Sequence, residues 1–370
     1  MNSDSVRRWI SMKRFSLFAF SCCLVLVWTV AVAASTITYQ YHRARVVDLL
    51  NVQRSDHIEQ QVSAKIQGGS GEVLTFVNYY VEDIPGVYYL DVGSRILLGL
   101  QYQDGDLLSV YLQDLARDRS MIVLAAVFAL LLVLVGRLQG LRTLLTLCVA
   151  AAALVYILLP AILAGHDPIL ASTATAGAIA LVTILVVGGW NLKSLAAILG
   201  TLSGVLVAGF LTLWFGAILE LTGFTSEEAH MLRVYGGITD LRGVLFGGII
   251  LGSLGAVTDV GMSIASAAAE IHRTNRAITR SALFRSAMNV GRDIMGTMAN
   301  TLILAYVGTT LPLLLLMLHL ETDWLVIANM NIVAAEMLRG MAGSIGLVVS
   351  IPCTALIAAS ILTKQTTEAD

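Results

Sequence analysis

The run MIVLAAVFALLLVLVG occupies residues 121–136, and the run RTLLTLCVAAAALVYILLPAILA follows at 142–164, with only RLQGL between them. Read as helices rising ~1.5 Å per residue, both approach the ~30 Å hydrocarbon core of a bilayer. In lipid each backbone amide needs an internal partner, so runs of this kind fold as helices and not as isolated strands. Working outward, comparable runs occupy 15–34, 169–190, 194–219, 243–268, 294–318 and 341–363. The expected fold is therefore mainly α: a polytopic transmembrane bundle of about eight helices. The composition agrees, since 57% of the 370 residues are hydrophobic and 13% charged. A water-soluble core of this size has no means of hiding so much apolar surface.

Charge placement orients the chain. Arg7, Arg8, Lys13 and Arg14 precede the first run, Arg137 and Arg142 join the second to the third, and Lys193 follows the fourth. Arg273, Arg276, Arg280, Arg285 and Arg292 lie between the sixth and the seventh. The alternate loops are acidic or neutral, with Asp167, Glu220, Glu227, Glu228, Asp240, Glu321 and Asp323. Basic loops stay on the cytoplasmic side of a membrane, which places both termini there. A net charge of −2 provides no basic footprint for nucleic acid. The first run is read as an uncleaved anchor, although Ala31-Val32-Ala33 also fits the end of a signal peptide.

Residues 36–120 follow another rule. Val62, Ala64 and Ile66 alternate with Gln61, Ser63 and Lys65, Val73-Leu74-Thr75-Phe76-Val77 forms another short run, and Gly68-Gly69-Ser70-Gly71, Pro85-Gly86 and Asp104-Gly105-Asp106 interrupt these runs. Period-two patterns broken by turn residues predict about five strands, in a small extracytoplasmic β-barrel-like domain of OB or SH3-like kind. It contains no cysteine; Cys22, Cys23, Cys148 and Cys353 all fall inside the apolar runs, where they read as small packing residues. The domain plan is thus a cytoplasmic tail at 1–14, an anchor at 15–34, the β-rich domain at 36–120, the helical bundle at 121–363 and a second tail at 364–370.

Glycines at small-residue spacing, Gly200 with Gly204, Gly248 with Gly252, and Gly340, Gly343 and Gly346, predict close helix approach. Residues 270–292 read as a basic stretch with Leu283, Phe284, Ala287 and Met288 forming the apolar side of a helix on the inner leaflet. Residues 324–339 read as an amphipathic or re-entrant helix at the outer face, carrying Glu336 and Arg339.

Nucleotide-binding loops, paired Cys-x-x-Cys motifs, His-Glu-x-x-His and nucleophile elbows are all missing, so no enzyme and no cofactor is expected. Six scattered histidines lack metal-ligand spacing, and the sequence leaves a metal undecided. The informative positions are polar residues inside spans. Asp259, Ser263, Ser266 and Glu270 share one helix face, and Asn289, Asp293, Thr297 and Asn300 share another if helicity continues through Arg292. An ionisable group in a span costs about 2.5–3.5 kcal/mol and normally faces water or a partner. One reading makes Asp259 and Asp293 line a path for a cation or proton, with Ser263, Thr297 and Asn300 as neutral oxygen ligands. The other is a structural lock, in which Arg292 or a loop arginine pairs with the carboxylates and Glu336 and Arg339 are ion-pair candidates.

The segments Thr258-Asp259-Val260-Gly261-Met262-Ser263, Asn289-Val290-Gly291-Arg292-Asp293-Ile294-Met295-Gly296-Thr297-Met298-Ala299-Asn300, and Glu336-Met337-Leu338-Arg339 with Gly343-Ser344-Ile345-Gly346 resemble the bacterial YibE/YibF-like membrane protein family. That resemblance implies one anchor, an external β-rich domain and a helical bundle, and it confers no substrate. The leading expectation is a transporter or permease for a small solute or ion, coupled through the intramembrane carboxylates. The alternative is a non-catalytic envelope scaffold or assembly protein. Expected partners are the lipid bilayer, a small solute or cation, and another copy or an envelope protein through residues 36–120.

Overall fold

In a computed structural model the chain forms two compact units, 1–126 and 127–370. The structure describes residues 37–68, 71–82, 84, 87–103 and 106–367. The expected tail and anchor at 1–34 lie outside them, as do the last residues of the second tail.

The first unit is a five-stranded antiparallel sheet built from β1 (Ile37–Gln53), β2 (Ile58–Ile66), β3 (Val73–Tyr80), β4 (Arg95–Gln103) and β5 (Asp106–Leu115), in the order β3-β2-β1-β4-β5. β1 serves two partners. Its first half pairs with β4, from Ile37 opposite Gln103 to Arg45 opposite Arg95, and its second half pairs with β2 through to Gln53 opposite Ile58. A register shift between Val46 and Asp48 lets this long strand bend. The sheet curls until its edge strands β3 and β5 approach each other, and the concave side closes over Ala44, Val46, Val62, Ala64, Phe76, Leu90, Ile96 and Leu98.

One polar side chain enters this core with every atom satisfied. Gln60 is fully buried; its Nε2 donates to Asn51 Oδ1 (3.0 Å) and to the Leu90 carbonyl (3.1 Å), and its Oε1 accepts from Asn78 Nδ2 (2.9 Å) and the Leu90 amide (3.0 Å). The segment before β4 is thereby tied to β2. At the exit of the sheet Arg117 bonds Asp114 (3.0 Å) and the Tyr88 hydroxyl (2.9 Å), while Arg43 pairs with Asp118 (2.6 Å). Leu115 N–H donates to Asp114 at 2.6 Å. That bond is the largest effect on the Asp114 carboxyl and, against the opposing effect of burial and with lesser help from Tyr88 and Arg117, holds it below the usual carboxylate range.

Beyond the sheet the chain is helical, with six helices among the described residues long and apolar enough to cross a membrane. The first apolar stretch comprises α1 (Asp118–Ala153), a π turn at Leu154–Leu158 and α2 (Leu159–Leu163). Pro160 sits at the start of α2, where the widened turn absorbs the amide that proline lacks. Within α1, Arg137 adopts φ 50°, ψ −129°, and a Cβ on Gly140 would strike the Leu132 carbonyl. Residues eight apart in a continuous helix are ~12 Å apart, so the chain doubles back at Arg137. The two runs that open the sequence reading therefore form a hairpin.

The rest are α3 (Pro168–Gly188), α4 (Leu192–Ile218), the short α5 (Glu227–Gly236), α6 (Leu241–Thr274), α7 (Arg280–His319), the short α8 (Trp324–Asn329) and α9 (Asn331–Thr367). Asp167, Asn191, Ser226, Asp240, Thr279 and Asp323 each accept a backbone amide at a helix start. Such caps are worth about 0.5–2 kcal/mol each, which gives several acidic loop residues a local role. At the centre α4, α6 and α9 pack on one another, α3 lies against α6 and α4, and α7 against α9 and α6. Gly204 and Gly346 let α4 and α9 touch backbone to backbone.

Two expectations require correction. Residues 280–292 do not form a separate helix on the leaflet; they are the first turns of α7, because no breaker interrupts the period and Leu283, Ala287 and Gly291 are buried. Residues 331–339 are likewise the beginning of α9, and only Trp324–Asn329 stands apart as a short helix.

Candidate functional site

α6 is the helix most enclosed by its neighbours. Ser253, Leu254, Val257, Thr258, Val260, Gly261, Ile264, Ala265 and Ala268 are all buried. One stripe stays open along it: Gly248, Gly252, Gly255, Asp259, Ser263 and Glu270 are exposed, at spacings that keep them on one face. Gly248 and Gly255 have nothing within 4 Å of the position a Cβ would take. Of the expected Gly248/Gly252 packing pair, Gly248 meets no neighbour among the described residues, while Gly252 is approached by a side chain of α7. Gly248 and Gly255 leave a trough.

Asp259 lies near the midpoint of α6, ~27 Å from its start and ~22 Å from its end. Among the described residues no hydrogen bond or ion pair reaches its carboxylate. Ser263, one turn on, is also free of a hydrogen-bond partner among them, and Glu270 pairs with Arg273 at 2.7 Å. In the other direction, two turns from Asp259, the Tyr306 hydroxyl of α7 stands 2.9 Å from the Cβ position of Gly252. Arg339 of α9 sits over the Tyr306 ring, its guanidinium carbon 5.8 Å from the centroid, and donates to Glu336 at 2.6 Å. Glu336 Oε2 and Arg339 Nε are buried without a hydrogen-bond partner. The glycine trough therefore runs from Ser263 and Asp259 to a tyrosine, an arginine and a glutamate contributed by two other helices.

The second polar stripe is placed differently. Asp293, Thr297 and Asn300 are exposed on α7, on the side away from Leu283, Ala287 and Gly291, which face the core. Thr297 Oγ1 donates to the Ile294 carbonyl (2.9 Å), and Arg292 donates to Asn289 Oδ1 (3.1 Å). No hydrogen bond or ion pair links this stripe to Asp259 or Ser263 among the described residues. Tyr306 is the residue that sequence reasoning left without a role; a hydroxyl among the apolar residues of a span was the signal that marked it. No group of three or more His, Cys, Asp or Glu side chains converges among the described residues.

The comparisons with known proteins bear on most of the bundle. Residues 124–364 match the family model described as YibE/F-like protein. No curated protein and no solved structure matches. The matched span takes in Asp259, Asp293, Tyr306, Glu336 and Arg339 and well over half of the chain, and with six apolar helices it makes this a membrane protein that belongs to the YibE/F-like family.

Proposed function

We propose that the chain is a transporter or permease for a small solute or cation, with Asp259 as the coupling group. The observation that carries the reading is one unpartnered carboxylate on the open stripe of an otherwise buried helix. An ionised aspartate there is stable only against water or a cation, and Gly255, one turn before it, leaves room for both. Ser263 supplies a neutral oxygen one turn away, and Tyr306 with Arg339 and Glu336 forms the far end of the same trough. Thr297, Asn300 and Asp293 belong to a separate face of α7 in this reading, and no enzymatic step or cofactor enters it.

The chain crosses a bacterial cytoplasmic membrane eight times, counting the anchor and both arms of the Arg137 hairpin, with both termini in the cytoplasm. Residues 36–120 form an external domain of OB-like design, supported by a bent first strand that pairs on both sides. A second reading, an envelope scaffold, is favoured by Tyr39, Tyr41 and Tyr79, each more than half exposed on that domain. Uptake by reconstituted protein separates the two. Asp259→Asn is expected to abolish ion-dependent solute uptake while the protein remains folded, and undiminished uptake would remove Asp259 from the path.

A further inference from the structure

Arg292 and Asp293 are neighbours on α7, both exposed, and neither has an ion-pair partner among the described residues. Arg292 donates to Asn289 one turn back, and Asp293 accepts nothing. The face they occupy has a regular order. Asn289, Asp293, Gly296, Asn300, Ile303 and Val307 recur at alternating intervals of four and three residues, and all are exposed. Ile303 is 43% and Val307 44% exposed, and nothing lies within 4 Å of a Cβ built on Gly296. This spacing is the heptad seam of a helix that packs against a parallel partner. It lies on the side opposite Leu283, Ala287 and Gly291, which are used inside the chain.

We propose that this face of α7 joins two copies of the chain side by side in the membrane, Arg292 of each pairing with Asp293 of the other. Charge selects the occupant. Copies of a membrane protein insert with one orientation, so equivalent residues lie at equal depth. In a parallel pair about a twofold axis, the position just before a seam residue lies beside that seam residue of the other helix. Arg292 immediately precedes Asp293, so two reciprocal ion pairs form at one level. Gly296 admits close approach one turn on, Asn300 meets its equivalent through a side-chain amide that both donates and accepts, and Ile303 and Val307 close the apolar half.

The test is disulfide cross-linking of the full chain in native membranes, with Cys22, Cys23, Cys148 and Cys353 replaced by serine. Single cysteines at Asn300 and Ile303 are expected to give a dimer band at least five-fold stronger than one at Thr301, which is exposed at the same depth on another side of α7. Asp293→Arg is expected to reduce the Asn300 cross-link several-fold, and the exchange Arg292→Asp with Asp293→Arg to restore it to within two-fold. Cross-linking at Asn300 and Ile303 no stronger than at Thr301 would overturn the proposal. So would single-step photobleaching of labelled protein in bilayers, or, with Cys22 and Cys23 retained, an Asn300 cross-link that migrates as monomer. If Asp293→Arg does not accumulate in the membrane, the wild-type photobleaching count still decides.

Discussion

Gly204 of α4 and Gly346 of α9 each place a carbonyl oxygen 2.6 Å from where the other's Cβ would stand. A methyl group at either point has nowhere to go, since the facing backbone, together with Val257 and Ser350 at Gly204 and Ala208 at Gly346, occupies the space. Gly204→Ala is expected to cost about 1–3 kcal/mol through overpacking. Gly248→Ala, on the open trough, should stay within about 0.5 kcal/mol. Thermal stability in one detergent measures both, and equal losses would mean that the trough is not open.

Residues 36–120, expressed alone, should fold and melt cooperatively, with Gln60 as an internal check. Gln60→Leu leaves the Leu90 amide and carbonyl and the Asn78 amide short of partners. Each stranded buried group costs about 1–3 kcal/mol, so a domain of this size should lose most of its stability. Urea unfolding of the two forms measures the difference. A loss below about 1 kcal/mol would mean that water reaches Leu90.

What the sequence disclosed, and what it withheld, follows from one physical fact. Long apolar runs mark spans because water rejects them, and period two marks β1 to β3 because one face of the sheet is wet. Inside a bilayer, however, lipid is as apolar as a helix neighbour, so the azimuth of a buried face leaves little trace in composition. Asp293, Thr297 and Asn300 do share a face, as their spacing says, but spacing does not reveal that the face turns away from α6. For the same reason the Gly248/Gly252 pair looks identical in sequence to Gly200/Gly204, although both members of the latter are filled by neighbours and Gly248 is not. The first turns of α7 were misread because their arginines look like a loop, while Leu283 and Ala287 between them are buried.

The Asp114 network gives the external unit a signed pH dependence. Its carboxyl is held below the ordinary range, so the stabilisation is complete above the unfolded value, 3.8, and is lost as pH falls through the lower folded value. Asp114→Asn should therefore lower the melting temperature of residues 36–120 at neutral pH, and the gap to wild type should close in acid. Melting curves across the acid range test this. A gap that persists under strongly acidic conditions would assign the loss to packing and not to charge.

Glu336 and Arg339 should behave as a coupled pair. Each single neutralisation leaves a half-buried charge uncompensated, at a cost of about 3–5 kcal/mol for a fully buried pair and less at this exposure. Glu336→Gln with Arg339→Gln should be less damaging than the sum of the two, and additive losses in detergent stability would show that Tyr306 or water already neutralises each group separately.

The last prediction concerns what fills the trough on α6. Exposure on a membrane helix has two meanings, contact with lipid or contact with water, and geometry alone treats them alike. Chemistry separates them. An unpartnered carboxylate at Asp259 is tolerated at mid-helix only if water or a cation reaches it, whereas Leu304 on α7, 66% exposed, is at ease in hydrocarbon. A thiol ionises only where water reaches it, and the thiolate is the form that reacts. Single cysteines at Gly255 and Ser263 should therefore react with a charged thiol reagent at least about ten-fold faster than one at Leu304, because that reagent enters water and not lipid. Asp259→Asn should slow the modification of Ser263→Cys by a positively charged reagent more than by a negative one, since it removes the charge that draws cations in. If Gly255→Cys and Ser263→Cys are as unreactive as Leu304→Cys, the trough is filled by lipid or by another helix, and Asp259 is a buried structural residue and not a transport site.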